Sequence, residues 1–133
     1  MAPIMNSQTL SISISSKPNE VYNFILNLEN LPKWAPSFCQ SIRKSEDVWF
    51  VETPDGRVEI RFVERNELGV LDHYVRLTTG QEILNPMRVI PNGSGSEVMF
   101  SLFQLPTASD EKFAEDTRLV EKDLRTLKMV LES

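Results

Sequence analysis

One histidine, one cysteine and two tryptophans are the residues of this chain best suited to specific chemistry. His73 is the single imidazole, and Asn85 is the polar residue a short hairpin would bring beside it. On an apolar strand face such a pair has three uses. It anchors a ligand by hydrogen bonds, moves a proton at a substrate carbonyl, or satisfies itself, with Asn85 or a water completing a core histidine. The adjacent Asp72 looks like a dyad partner, but successive strand residues point to opposite faces, so Asp72 is badly placed to orient the ring. A serine-type triad is therefore unsupported, and His73 is only a weak catalytic candidate. Cys39 stands alone, with no histidine near it in sequence, and reads as a structural thiol. One histidine and one cysteine give no metal-ligand spacing, so no metal is expected. Gly93-Ser94-Gly95 is not followed by a helix and reads as a hairpin rather than a phosphate loop, so no cofactor is expected either.

The elements that must position these residues follow from two periodicities. Leu10, Ile12 and Ile14 alternate with Ser11, Ser13 and Ser15, the pattern of a half-buried strand over Thr9 to Ser15. Ser16 or Lys17 then caps a helix with Pro18 in its first turn and Val21, Phe24, Ile25 and Leu28 on one face. A second helical turn, Leu31 to Ala35, carries Trp34 between Pro32 and Pro36, where it serves as a lid or as packing. Strands are predicted near 38–44, 47–53, 57–65, 70–78, 81–90 and 96–105, separated by turn residues. Consecutive hairpins imply an antiparallel meander. Ser109 is a suitable N-cap for a final helix whose stripe runs Phe113, Thr117, Val120, Leu124, Leu127, Leu131. A three-heptad stripe after so many strands reads as a helix lying on a sheet rather than a coiled coil.

Hairpin registers test the faces against one another, because a one-residue slip reverses every side chain. A two-residue turn at Asp55-Gly56 sets Val51 against Ile60 and Trp49 against Phe62. A four-residue loop at 66–69 sets Phe62 against His73 and Ile60 against Val75. A three-residue loop at 78–80 sets Val75 against Ile83, His73 against Asn85 and Leu71 against Met87. These choices give one concave apolar face: Trp49, Val51, Val58, Ile60, Phe62, Leu71, Val75, Leu77, Ile83, Met87 and Val89. His73 and Asn85 fall on it as cross-strand neighbours. Trp49 and Met87, like Met99, suit a ligand wall or plain core. The last strand leaves two choices, Val98, Phe100 and Leu102 inward or Met99, Ser101 and Phe103. Arg43, Lys44, Glu46 and Asp47, like Glu64, Arg65 and Glu67, read as solvated strand ends.

Bulk properties narrow the setting. A chain of 133 residues with 41% hydrophobic and 25% charged content fits one folded domain, with no linker or repeat dividing it. A net charge of 14 − 19 = −5 disfavours a nucleic-acid partner. No apolar run approaches the roughly 20 residues of a membrane helix, and Met1 to Gln8 lacks the make-up of a signal peptide. The expectation is a cytoplasmic protein without integral membrane association. Its oligomeric state is open, a dimer included.

The stretch from Pro18-Asn19-Glu20-Val21-Tyr22 through Leu31-Pro32-Lys33-Trp34-Ala35-Pro36, with the ending Val120-Glu121-Lys122-Asp123-Leu124 through Leu131-Glu132, resembles the SRPBCC superfamily. These are the START-like, birch-allergen-like helix-grip proteins, including the polyketide cyclase/dehydrase family. The resemblance implies an α+β fold in which a curved seven-stranded antiparallel sheet, with two short helices after the first strand, wraps a long C-terminal helix around a hydrophobic cavity. One scaffold of this kind hosts several functions. The expected function is binding of a small hydrophobic ligand such as a lipid, polyketide or aromatic metabolite, contacted by Trp34, Trp49, Phe62, His73, Val75, Asn85 and Met87. The alternatives are a cyclase or dehydratase using His73 as acid or base, and an interaction module like the chaperone activators.

Overall fold

The structure, a computed structural model, describes residues 3–133; Met1 and Ala2, the first two positions of the stretch read for a signal peptide, lie outside the described residues. The elements in chain order are β1 (Ser7–Ile14), α1 (Pro18–Leu26), a 3-10 turn (Leu28–Asn30), α2 (Leu31–Trp34), β2 (Ser41–Ser45), β3 (Val48–Thr53), β4 (Gly56–Phe62), β5 (His73–Arg76), β6 (Glu82–Asn85), β7 (Met87–Asn92), β8 (Gly95–Phe103) and α3 (Asp110–Glu132). All strand pairing is antiparallel. Among the described residues no helix is long and apolar enough to cross a membrane.

Eight strands stand where seven are expected, in a three-stranded sheet β1-β8-β7 and a five-stranded sheet β2-β3-β4-β5-β6. The difference lies at one residue. The run predicted as a single strand over 81–90 is broken at Pro86, which has no N–H for the ladder. β6 stays with β5, while β7 turns to pair with β8. Leu71 N still donates to Met87 O at 2.8 Å, so the predicted Leu71–Met87 neighbourhood survives the break.

Two of the three predicted registers are found: Phe62 opposes His73, and His73 opposes Asn85 with Val75 opposite Ile83. The third is two residues off. Trp49 pairs with Ile60 and Val51 with Val58, because Pro54-Asp55 forms the turn between Thr53 and Gly56. Proline's fixed φ suits the first central turn position, and Thr53 Oγ1 donates to Gly56 O at 2.7 Å. An even slip leaves each side chain on its predicted face.

The 66–69 turn broadens into a loop from Val63 to Asp72 organised by Asn66. Its Oδ1 accepts from Leu68 N and Val70 N, its Nδ2 donates to Glu64 O and Val70 O, and its own N–H donates to the Tyr22 hydroxyl of α1. Gly69 is required there. Its φ is +73°, and a Cβ would lie 2.1 Å from Val89 O, the residue whose N–H reaches Gly69 O at 2.9 Å. Another shift concerns β2, which begins at Ser41 rather than 38. Phe38 N and Cys39 N both donate to Ala35 O, so these residues close a turn after α2 instead of extending.

In β8 the inward set is Val98, Phe100 and Leu102, all buried and preceded by buried Ser96, whose hydroxyl donates to Ser16 O at 2.6 Å. The eleven residues assigned to the concave face are all buried or half-buried. Helix α3, about 35 Å long at 1.5 Å per residue, is capped by Ser109, whose hydroxyl accepts from Lys112 N. It packs on β1 and α2. Its C-terminal half is stitched to β1 by Lys128 Nζ to Ser13 O and by Glu132 to Ser15 N, at 2.7 and 2.8 Å.

Candidate functional site

Strands β3 to β6 present Trp49, Phe62, Val75 and Ile83 on one face with His73 and Asn85 among them, as the registers require. Val75 is buried, whereas Trp49, Phe62, Leu77 and Ile83 stay half-buried. Along α3 burial is deepest at Leu124 and Leu127, while Phe113, Thr117 and Val120 toward its N-terminus, and Leu131 near its end, are half-buried. Apolar closure is therefore incomplete toward the start of α3. Across that end, Lys112 in the first turn of α3 reaches Asp55 of the β3–β4 turn at 3.2 Å.

His73 is 6% exposed. Its ring lies between Phe62 and Phe100, with centroids 4.9 and 5.6 Å away. Nδ1 is 3.0 Å from Leu71 O. A carbonyl only accepts, so Nδ1 carries the proton and Nε2 presents its lone pair. Burial holds the imidazole below its ordinary pKa and therefore neutral, outweighing the Leu71 hydrogen bond and the Asp72 charge, which act upward. Asp72 is turned away as expected. Its Oδ1 accepts from Met87 N at 2.9 Å and from the Arg88 guanidinium, joining the loop to β7. The ring thus has no carboxylate orienting it.

The remaining predicted residues sit on other elements. Met87, fully buried in β7, belongs to the other sheet. Trp34 sits on α2, which packs against α3 and β2 at the margin of the five-stranded sheet. The indole is 5% exposed, so Trp34 is packed inside rather than spread over the surface. Its Nε1 is the one enclosed side-chain nitrogen or oxygen without a hydrogen-bond partner among the described residues. His73 Nε2 has no hydrogen-bond partner among the described residues. Cys39 is buried, and burial pushes its thiol up to about 11, which leaves no thiolate at neutral pH.

Two groups escape a reading of the sequence. Phe100 joins the histidine stack, but its strand carries apolar residues on both faces. Asp123 is buried in α3 and accepts from Ser37 N at 3.2 Å, tying the turn after α2 to the long helix. Burial pushes its carboxyl upward, opposed by the Ser37 hydrogen bonds. The signal was present: Asp123 lies three residues after Val120 and four before Leu127, inside the apolar stripe.

Two surface hollows of about 270 and 170 Å³ lie elsewhere. The larger follows Phe50, Arg57, Arg76 and Leu77 at the rim of the five-stranded sheet, and the smaller lies beside Ser94, Gly95 and Lys128. Among the described residues no group of three or more His, Cys, Asp or Glu could hold a metal ion.

No family model and no curated protein matches the chain. Solved structures do. The chain is similar to protein XoxI from Bacillus cereus, with 22% identity over 96% of both chains and a TM-score of 0.76. It is similar to the Aha1 dimer from Colwellia psychrerythraea at 15% identity and a TM-score of 0.73, and to Ara h 8.0201 at 15% and 0.71. Each of these two covers 96% of this chain and 97% of the other. At these identities the likeness is one of fold alone, a curved antiparallel sheet with two short helices early in the chain and a long C-terminal helix.

Proposed function

We propose that this protein binds a small hydrophobic molecule between the concave face of β3–β6 and the N-terminal half of α3. The observation that carries this reading is the row of half-buried apolar side chains, Trp49, Phe62, Leu77 and Ile83, on one face of the sheet, with Phe113, Thr117 and Val120 half-buried on the helix whose first turn reaches that sheet through Lys112 and Asp55. A sheet and helix meant only to form a core would bury both. Apolar ligand area placed there supplies affinity at about 25 cal/mol per Å². His73 Nε2 and the Asn85 amide beside it fix orientation, the usual division of labour in such sites. The role is binding rather than catalysis. A neutral imidazole with a lowered pKa and no carboxylate behind it is a weak proton acceptor, and Asp72 is committed to Arg88.

Titration with fatty acids, fatty alcohols, sterols and aromatic polyketides, followed by tryptophan fluorescence and calorimetry, tests the proposal. Saturable 1:1 binding, weakened by Val75→Asp at the centre of the face, is the expected result. Absence of binding across the panel, or binding indifferent to Val75→Asp in a folded variant, overturns it.

A further inference from the structure

We propose that Asn92 is a site of self-modification, at which the backbone nitrogen of Gly93 attacks the Asn92 side chain and the turn between β7 and β8 converts to aspartate or isoaspartate. The substrate is the chain itself and the co-reactant is water, so the inference is independent of the binding reading.

The sequence singles out the position. Asn92 is the only asparagine followed by glycine. Every other asparagine precedes a residue whose side chain crowds the attacking nitrogen or, at Pro86, one with no N–H to give up. The fold then leaves the reacting atoms free. Gly93 and Ser94 form a two-residue turn closed by the Asn92–Gly95 pair, with Gly93 at φ +57°, the left-handed geometry that tight hairpins require. Asn92, Gly93 and Ser94 are all exposed. The Gly93 N–H donates to no acceptor among the described residues. The smaller of the two surface hollows, about 170 Å³, is lined by Asn92, Ser94 and Gly95 and admits water beside the turn.

The step balances without any oxidant or reductant. Hydroxide takes the Gly93 amide proton, and the nitrogen bonds to Asn92 Cγ. The Cγ–Nδ2 bond breaks, and Nδ2 takes a proton from water and leaves as ammonia, which restores the hydroxide. Water then opens the cyclic imide. Attack at Cγ gives aspartate, whereas attack at the main-chain carbonyl gives isoaspartate, which carries the chain through an extra methylene.

The product disturbs a junction of three elements. In the intact protein Asn92 Nδ2 donates to Glu97 Oε1 at 3.1 Å and to Ser13 Oγ at 3.4 Å, and the Ser13 hydroxyl donates to the same Glu97 oxygen. These hydrogen bonds, the one from Ser13 foremost, hold the Glu97 carboxyl below its ordinary pKa and therefore anionic. Conversion replaces the Asn92 donor with a second carboxylate against Glu97, and like charges in contact repel. Ser13 belongs to β1, and its carbonyl accepts from Lys128 of α3. The repulsion therefore falls where β1, the β7–β8 turn and the end of α3 meet.

The folded protein, held in mildly alkaline buffer and digested with trypsin at intervals, tests this by mass spectrometry. The peptide from Val89 to Lys112 holds no other asparagine, and its fragment spectra separate conversion at Asn92 from conversion at Gln104. The expected result is that this peptide gains the mass of amide-to-acid conversion at Asn92 before any other asparagine converts. The gain should slow in mildly acidic buffer, as the need for hydroxide requires, and vanish in Asn92→Gln. Asn92→Asp, which imitates one product, should lower the urea midpoint with an unchanged slope. Adding Glu97→Gln should recover most of that shift, the coupling expected of a contacting pair. Earlier conversion at another asparagine overturns the proposal. So does an intact Asn92 in wild-type protein when a free peptide of the Val89–Lys112 sequence has converted in the same buffer, a comparison that needs no variant to fold. An Asn92→Asp midpoint equal to that of wild type overturns the clash with Glu97.

Discussion

His73 makes the protein's acid response specific. In the unfolded chain the imidazole takes up a proton near pH 6.5, whereas burial in the folded state delays uptake to lower pH. Between those values the unfolded state holds more protons, so stability falls as pH drops, by at most about 1.4 kcal/mol per pH unit for one group. Asp123 works in the opposite sense. Its folded carboxyl keeps a proton that the unfolded one has lost, so its contribution rises on acidification, in a lower window beginning above pH 3.8. Urea unfolding between pH 7.5 and 5 should show wild-type stability declining below about 6.5, and His73→Gln should flatten that decline. An equal decline in the variant would place the acid response on other groups. The neutral ring was not legible in the sequence. The strand alternation placed His73 and Asn85 side by side, but the tautomer depends on Leu71 O, two residues away, turning back toward the ring.

Among the elements, the β2–β3 hairpin carries a correctable flaw. Glu46 and Asp47 occupy its two-residue turn with φ of +50° and +67°, a left-handed geometry that crowds Cβ and favours Asn-Gly. The double substitution Glu46→Asn, Asp47→Gly should stabilise the protein by about 0.5–1 kcal/mol, read as a higher urea midpoint with an unchanged slope. The ion pair it removes, Lys44 with Asp47 at 3.7 Å, is mostly exposed and offsets little of this gain. Turn chemistry of this kind shows how far periodicity reaches. Alternation identifies the face of each strand because parity is all it needs, and the two-residue error at Pro54-Asp55 therefore did no harm to the faces. Strand ends depend on hydrogen bonds that periodicity does not encode, such as those of Asn66 or Ala35 O. Pro86 was a visible breaker within an alternating run, and its meaning is a change of partner sheet.

At the scale of the whole molecule, the tie between the start of α3 and the β3–β4 turn is electrostatic. Lys112 bridges to Asp55 across the end where apolar closure is incomplete, and also pairs with Asp116 one turn along the helix. Exposed pairs of this kind weaken with salt. Under the proposed function, Asp55→Asn should speed ligand release in stopped-flow measurements at low ionic strength, and the difference from wild type should vanish near 1 M salt. The long closing helix was readable from its apolar stripe, Phe113 to Leu131. The Asp123 clasp, which needs two distant segments to meet, was not.

The position of β1 has a consequence for colloidal behaviour. Its eight residues are hydrogen-bonded to β8 on one side alone, and a long open margin of this sort invites templated addition of further chains. Ser7, Thr9, Ser11 and Ser13 line its outer face, while the ammonium of Lys128 occupies the Ser13 carbonyl. A sheet with an open edge depends on such guards to stay dispersed.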